Sequence, residues 1–342
     1  MIHPFAWLTW LIAVTIALSA TRNPLYLILI GQALAIVNAV STAQSRQPLT
    51  FWKPNTLVVM LVVTSALFNA LLVRYGNTVL VRLPAWLPLL GGPITLEALV
   101  YGALNGLALA YIFIAFSIVQ RMLPISTLIG IIPRAFYPLA IVTAIAITFV
   151  PTTLRQAQHI REAQAIRGHQ LRRLRDWLPI LMPLLIGGLE RAFQLAESLA
   201  SRGFASQPTQ STQQHRSTQL TISVALTGLL SGWMLRLIWA YDTLGSILMF
   251  SSAILLFGKL WMLGKHAPHT RYRQFTWNNA DTAVVLCASV TIAVLLLPWP
   301  AIERATLGYY PYPLVSQPSF DLGIGFAIVG LIWPAVTQYI KS

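Results

Sequence analysis

The chain is predicted to be an all-α polytopic membrane protein, with about eight transmembrane helices and a cytosolic pair of long amphipathic helices. Three observations predict this. Hydrophobic residues fill 56% of the 342 positions and charged residues only 9%, against about 25% charged in a soluble domain. The apolar residues gather in long runs parted by short polar turns, which is the pattern of membrane spans. One stretch, Thr152 to Phe204, breaks the pattern by being polar and basic over its whole length.

The first run, Phe5 to Ala20, ends at the tight turn Thr21-Arg22-Asn23-Pro24 and leads into Leu25 to Val40. At about 1.5 Å per residue both are near the shortest length that crosses a hydrocarbon core of ~30 Å. A third run, Thr56 to Val73, follows the polar stretch Ser41 to Asn55, and a loop rich in Pro and Gly (Pro84, Pro88, Gly91, Gly92, Pro93) precedes the fourth, Leu96 to Val119. Glu97 opens that fourth span, where the helix dipole favours a carboxylate. Gly102 and Gly106, spaced for close helix approach, suggest contact with another membrane helix, such as one of a partner.

The stretch from Ile125 to Val150 is divided by Pro133 and Pro138. Its uninterrupted part, Leu139 to Val150, is short for a span, and a single crossing there would place the following arginines outside, against the positive-inside tendency. We read it as part of a helix lying along or dipping into the inner leaflet and continuing towards Arg167. Pro179 and Pro183 are expected to break direction before a second helix from about Leu184 to Arg202. Gln207 to Gln219 reads as a Ser/Thr/Gln linker. Runs near Leu220 to Ile238, Thr243 to Leu263, Thr282 to Leu297 and Gly323 to Tyr339 supply four more spans. The expected organisation is therefore helices one to four in 1–120, the two amphipathic helices in 121–206, a linker and fifth span in 207–242, and further spans in 243–342.

Within the basic stretch one pattern occurs twice in the same frame, as Glu162-Ala163-Gln164-Ala165-Ile166-Arg167-Gly168 and Glu197-Ser198-Leu199-Ala200-Ser201-Arg202-Gly203. Leu154, Ala157, Ile160 and Ala163 recur at helical spacing, as do Leu189, Phe193, Ala196 and Ala200. Each helix then meets a glycine suited to the left-handed turn past a helix end, with an arginine just before it where the terminal carbonyls favour a cation. Ala165 and Ala200 keep the tips slim. The expected product is two prongs, each ending in a forked cation that bonds bidentately to carboxylate or carbonyl oxygens. The bland alternative is a pair of helix caps whose arginines reach lipid phosphates.

Composition also excludes functions. The formal charge of +14 is read as a topology signal, not as a nucleic-acid surface. Arg172, Arg173 and Arg175 join Arg155, Arg161 and Arg167 beside apolar helices, where they face anionic headgroups. Eight spans with both termini inside place Arg46, Lys53, Arg121, the central cluster, Lys265, Arg271, Arg273 and Lys341 in the cytoplasm. The same arrangement leaves Arg22, Arg74, Arg82, Arg236, Arg304 and the aromatic run Tyr309 to Pro313 outside. Nine acidic residues along the whole chain offer no paired carboxylates for acid/base work. The single Cys287 and six scattered histidines, with His266 and His269 three apart in a basic loop, form no catalytic metal set. Gly258-Lys259 to Gly264-Lys265-His266 has the wrong spacing for a phosphate loop.

These residues resemble a known family, the transmembrane T component of energy-coupling factor transporters, the EcfT/CbiQ family. The resemblance is carried by the paired Arg-Gly ends with their upstream Glu and Ala, by Phe149-Val150-Pro151, and by Arg191-Ala192 before Ala196-Glu197. His3-Pro4, Arg22-Asn23-Pro24-Leu25, Asn69 to Leu72 with Gly76, Glu97-Ala98-Leu99 and Tyr101-Gly102 are similar too. It covers about residues 1 to 240. The family motif reads Ala-Arg-Gly, and here Ile166 and Ser201 stand at its first position; the three spans after about Thr243 exceed the family's usual length.

The resemblance implies that two cytosolic ABC-type ATPase subunits each receive one prong. Glu162, Ala165, Ile166, Arg167 and Gly168 would meet one, and Glu197, Ala200, Ser201, Arg202 and Gly203 the other. It implies that ATP and Mg belong to those partners, with no cofactor and no catalysis in this chain. It further implies a membrane-embedded S component that selects a vitamin or transition-metal ion, in the plasma membrane of a prokaryote. A self-contained carrier, an integral membrane enzyme or a scaffold without ATPase partners is the competing expectation.

Overall fold

The computed structural model describes residues 2–44, 54–83, 92–124, 127–128, 130, 137–168, 174–203, 212–238, 242–265, 276–297, 299, 302–313 and 316–339. Its helices are α1 (Pro4–Ala20), α2 (Pro24–Gln44), α3 (Pro54–Leu72), α4 (Leu96–Met122), α5 (Tyr137–Ile166), α6 (Leu178–Ser201), α7 (Thr212–Ile238), α8 (Asp242–Lys265), α9 (Asn279–Leu296), α10 (Leu322–Val329) and α11 (Trp333–Tyr339). Among the described residues seven helices are long and apolar enough to cross a membrane, and 4–20, 56–72 and 322–338 are shorter apolar helices. All eight expected spans are present as helices, so the chain is an all-α polytopic membrane protein. The other two long apolar helices are α5 and α6, which carry the Arg-Gly ends.

The chain divides into two compact units, 1–128 with 271–342, and 129–270. In the first unit α9 packs on α1, while α10 and α11 pack on α2. The C-terminal helices thus share one core with the N-terminal ones: Trp10, Tyr26, Ile30, Leu34, Ile118, Ile324, Ile328 and Leu331 are all buried in it. Trp10 Nε1 donates to the Leu331 carbonyl at 2.8 Å, in the 3-10 turn Gly330–Ile332 that joins α10 to α11. The last expected span is therefore two helical segments joined by that turn.

Helix ends in this unit are set by local chemistry. Pro4 takes the first helical turn of α1, where its missing N–H costs nothing, and His3 Nδ1 accepts the Phe5 N–H at 3.3 Å. Asp321 caps α10 by accepting from Gly323 and Ile324, at 2.7 and 3.2 Å. Its other oxygen accepts the Glu303 N–H, and chiefly that bond holds the carboxyl below its usual range.

The ends of the helices sort into two groups, as alternating spans require. At one, His3 N donates to Asp281 Oδ1, Arg121 bonds Asn38 and Thr42, and Gln338 meets Met122. At the other, Arg22 N and Thr21 Oγ1 donate to the Leu307 carbonyl, and Asn23 Nδ2 donates to Thr306 and Ser319. The loop expected between α3 and α4 contains a two-stranded antiparallel ribbon, Val79–Leu83 paired with Gly92–Thr95.

Gly102 and Gly106 correct one expectation. They face α3 within the chain: a Cβ at Gly102 would lie 2.7 Å from the Ser65 carbonyl oxygen, and one at Gly106 would lie 2.7 Å from that of Leu61. Ser65 Oγ donates to the Gly102 carbonyl at 2.8 Å. The surface proposed for a partner is filled by the preceding helix, because a close backbone approach suits the hairpin as well as it suits another subunit.

In the second unit α5 packs on α6 and α7 packs on α8. The α7–α8 hairpin is close for the same reason: a Cβ at Gly232 would lie 2.9 Å from the Gly245 carbonyl oxygen. Two further expectations are corrected here. Pro183 does not start the second prong, since α6 runs from Leu178 through it. So close to the helix start a proline forfeits one backbone bond and leaves the rest of the helix intact. The linker at 207–219 is also shorter than expected, because α7 begins at Thr212 and the apolar helix extends backwards through its polar residues. Residues 204–211 lie outside the described residues.

Candidate functional site

The two Arg-Gly ends are built alike. α5 is continuous from Tyr137 to Ile166 with Pro151 inside it, as the reading of one helix running towards Arg167 requires. Past its last residue, Arg167 N donates to the Gln164 carbonyl at 3.1 Å, and Gly168 N donates to that of Ala165 at 2.9 Å. Gly168 has φ +80°, the left-handed conformation that ends a helix without steric cost only in glycine. At the end of α6, Gly203 N donates to the Ala200 carbonyl at 2.9 Å, and Gly203 has φ +76°. The glycine's bond three residues back and its left-handed conformation are the same in both copies.

Each residue expected at the prongs, Glu162, Ala165, Ile166, Arg167 and Gly168 on α5 and Glu197, Ala200, Ser201, Arg202 and Gly203 on α6, is exposed. Among the described residues neither Arg167 nor Arg202 pairs with a carboxylate. Glu162 Oε2 lies 3.8 Å from His159 Nδ1, both side chains open to solvent, a contact worth about 0 to 1 kcal/mol. The guanidinium forks are therefore presented outward and uncommitted.

The tips differ at one position. Ile166 is 88% exposed, an apolar knob beside the fork. Ser201 turns its hydroxyl back to the Ser198 carbonyl at 2.9 Å, which satisfies it within its own helix.

The shafts behind the tips are also uncovered. No described side chain of α5 is buried, and Ile180 alone is buried in α6. Leu178, Met182, Leu185, Ile186, Leu189 and Phe193 are each about half exposed or more and recur along one side of α6. The residues expected at a lipid surface fall largely outside the description: Arg172 and Arg173 lie outside the described residues, and Arg175 belongs to a 3-10 turn, Leu174–Trp177, of whose arginine only the backbone is described. His266 and His269 also lie outside the described residues. Among the described residues no three His, Cys, Asp or Glu side chains gather as a metal would need.

Sequence reasoning missed the setting of Glu97. It occupies the first turn of α4 as expected, yet it is fully buried and accepts the Thr78 N–H at 3.0 Å. The Glu-Ala-Leu triplet gives no sign of the Thr78 backbone that bonds it.

Comparison with known proteins gives the family of the chain. A family model described as CbiQ, cobalt transport protein, matches residues 2–215, more than half of the chain. The energy-coupling factor transporter transmembrane protein EcfT of Bacillus selenitireducens is 27% identical over 201 residues, which is 54% of this chain and 71% of that protein. The protein of the same name from Leuconostoc gelidum is 40% identical over 72 residues, 19% of this chain and 27% of the relative. One from Listeria monocytogenes is 26% identical over 133 residues, 33% of this chain and 49% of the relative. The family match takes in both Arg-Gly ends and stops within α7, so α8 and the C-terminal helices lie beyond it. On the strength of that match, the chain belongs to the CbiQ family, the T-component family of energy-coupling factor transporters.

Proposed function

We propose that this chain is the coupling subunit of an energy-coupling factor transporter, passing movement from two cytosolic ABC-type ATPase subunits to a membrane-embedded S component that selects the solute. One observation carries the reading: two helix ends with the same cap geometry each present an uncommitted arginine fork, thirty-five residues apart in one frame. Two equivalent devices suit two equivalent partners. Each prong enters a groove of one ATPase, where Arg167 or Arg202 bonds carboxylate or carbonyl oxygens bidentately. ATP and Mg reside in those partners. The open apolar shafts of α5 and α6 lie at the inner leaflet, against lipid and the S component, and the prongs' movement is transmitted through them. The termini face the cytoplasm of a prokaryotic cell, as the basic residues at that end favour. The transported solute is a vitamin or a transition-metal ion.

The test is co-purification and uptake. Wild-type chain solubilised from its host should bring down two ATPase subunits, and Arg167→Ala with Arg202→Ala should lose them and abolish ATP-driven uptake. A truncated arginine at the centre of an interface costs about 2 kcal/mol or more, so two should weaken the complex by several hundredfold or more. Uptake retained by the double variant would overturn the reading and favour a self-contained carrier or an enzyme.

A further inference from the structure

The two prongs share a second feature, set back from their tips. Pro151 stands inside α5 and has no N–H to give the Ile147 carbonyl one turn earlier. Around it the side chains bond the backbone instead. Thr148 Oγ1 donates to the Ile145 carbonyl at 2.9 Å, and Thr152 and Thr153 donate to that of Phe149 at 2.7 and 2.9 Å. Hydroxyls returned to the preceding turn in this way bend helices, and a proline is a usual seat of a sharp kink.

α6 has no proline at the matching height. Thirty-five residues on from Pro151, the spacing of the repeat, stands Ile186, and Gly187 and Gly188 follow it. Adjacent glycines are another seat of a bend, because neither has a side chain to restrain the backbone. The surroundings offer little resistance. An added Cβ at Gly188 meets nothing within 4 Å, and one at Gly187 meets only the end of the flexible Gln156 side chain. Pro151 itself is exposed.

Both weak points fall at the same boundary. α5 carries no charged residue before Arg155, and α6 none before Glu190. The apolar part of each helix therefore ends at the weak point, and the charged part begins there. Beyond it, Arg167 stands sixteen positions past Pro151 and Arg202 fifteen past Gly187, which makes arms of about 24 and 22 Å. A bend of about 20° moves a tip at that range by about 8 Å.

We propose that Pro151 in α5 and Gly187-Gly188 in α6 are matched joints, about which the charged arms swing while the apolar parts stay at the inner leaflet. Such joints presuppose the coupling role proposed above, and they supply its movement: the arms bend, and the helices need not tilt as rigid rods.

Two measurements on the full chain test this. With Cys287→Ser as background, spin labels at Arg161→Cys and Ala196→Cys, exposed and equivalent positions of the two arms, report the distance between the arms in detergent. Its distribution should be broad, and narrower once Gly187→Ala with Gly188→Ala, or Pro151→Ala, is added. A width that neither change alters would overturn the proposal. In the host, both variants should keep the ATPase subunits on co-purification, since the tips are untouched. They should lose ATP-driven uptake by about tenfold or more, with the glycine-pair variant unfolding no earlier than wild type. Uptake within about twofold of wild type in both variants would count against the joints, as would uptake lost together with the ATPases. Wild-type chain that brings down no ATPase would remove the coupling role alone, and the label distances would still decide whether the arms bend.

Discussion

The α3–α4 pair and the α5–α6 pair are both apolar helices joined in sequence, yet one is closed upon itself and the other stands open. In the first, glycines at 102 and 106 bring two backbones together, with Ser65 bonded across the contact. In the second, Gly187 meets the Gln156 side chain, while at Gly188 nothing lies within 4 Å of an added Cβ. The difference teaches where the chain keeps its stability and where it presents itself to other molecules. Helices whose small residues face one another stabilise the fold, and helices whose apolar stripes remain exposed must find lipid or protein elsewhere.

Substitution at the glycines should separate the two most sharply. Gly102→Leu drives a side chain into the α3 backbone, where the Ser65 carbonyl and Ala66 Cα lie 2.7 and 2.9 Å from the new Cβ. Overpacking costs about 1 to 3 kcal/mol when side chains can yield, and backbone yields less. The expected result is loss of folded, monodisperse protein in detergent chromatography.

A smaller loss is expected from Trp10→Phe, which leaves the buried Leu331 carbonyl without its donor. That costs about 1 to 3 kcal/mol, read as a lower unfolding midpoint. A full-sized midpoint would show that α10 and α11 do not depend on this tie to α1.

Asp321 offers a test by pH. Its folded pKa is depressed by the Glu303 N–H and by the α10 cap, so the stability it confers is present above the unfolded value of about 4 and is lost as pH falls through the lower folded value. Asp321→Asn should therefore lower the unfolding midpoint at pH 7, and the gap to wild type should close below about pH 4. A gap constant with pH would show that the caps do not depend on the charge.

The open pair should respond least in stability. Gly188→Ala, with empty space around it and a helical backbone, should raise stability by about 0.5 to 1 kcal/mol. Ile166→Asp, at a position 88% exposed, should move the midpoint by less than about 0.5 kcal/mol while reducing ATP-driven uptake. A large fall in stability from either would mean that α5 and α6 are packed more closely than their exposure shows.

Much of this was legible in the residues. The turn at Thr21 to Pro24, the continuity of α5 past Val150, and both left-handed glycines follow from short-range rules of apolar spacing, proline and helix caps. The differences are local as well: α6 runs through Pro183, and the polar start of α7 is helical. What could not be read were the pairings between distant segments. An apolar helix face looks the same in sequence whether it meets lipid, a partner or its own chain, because all three are equally free of water. Gly102 and Gly106 therefore announced a close contact without naming its other side.

The sequence by itself determined the membrane class, the order of the helices and the twin arginine ends, since each depends on residues within a turn or two of one another. Only the tertiary structure decided that α9, α10 and α11 close over α1 and α2, and that the ring of Tyr101 lies 5.9 Å from that of Tyr312, far along the chain. Those outcomes rest on shape and on the satisfaction of buried polar groups, which depend on all the segments that converge there and are encoded in none of them alone.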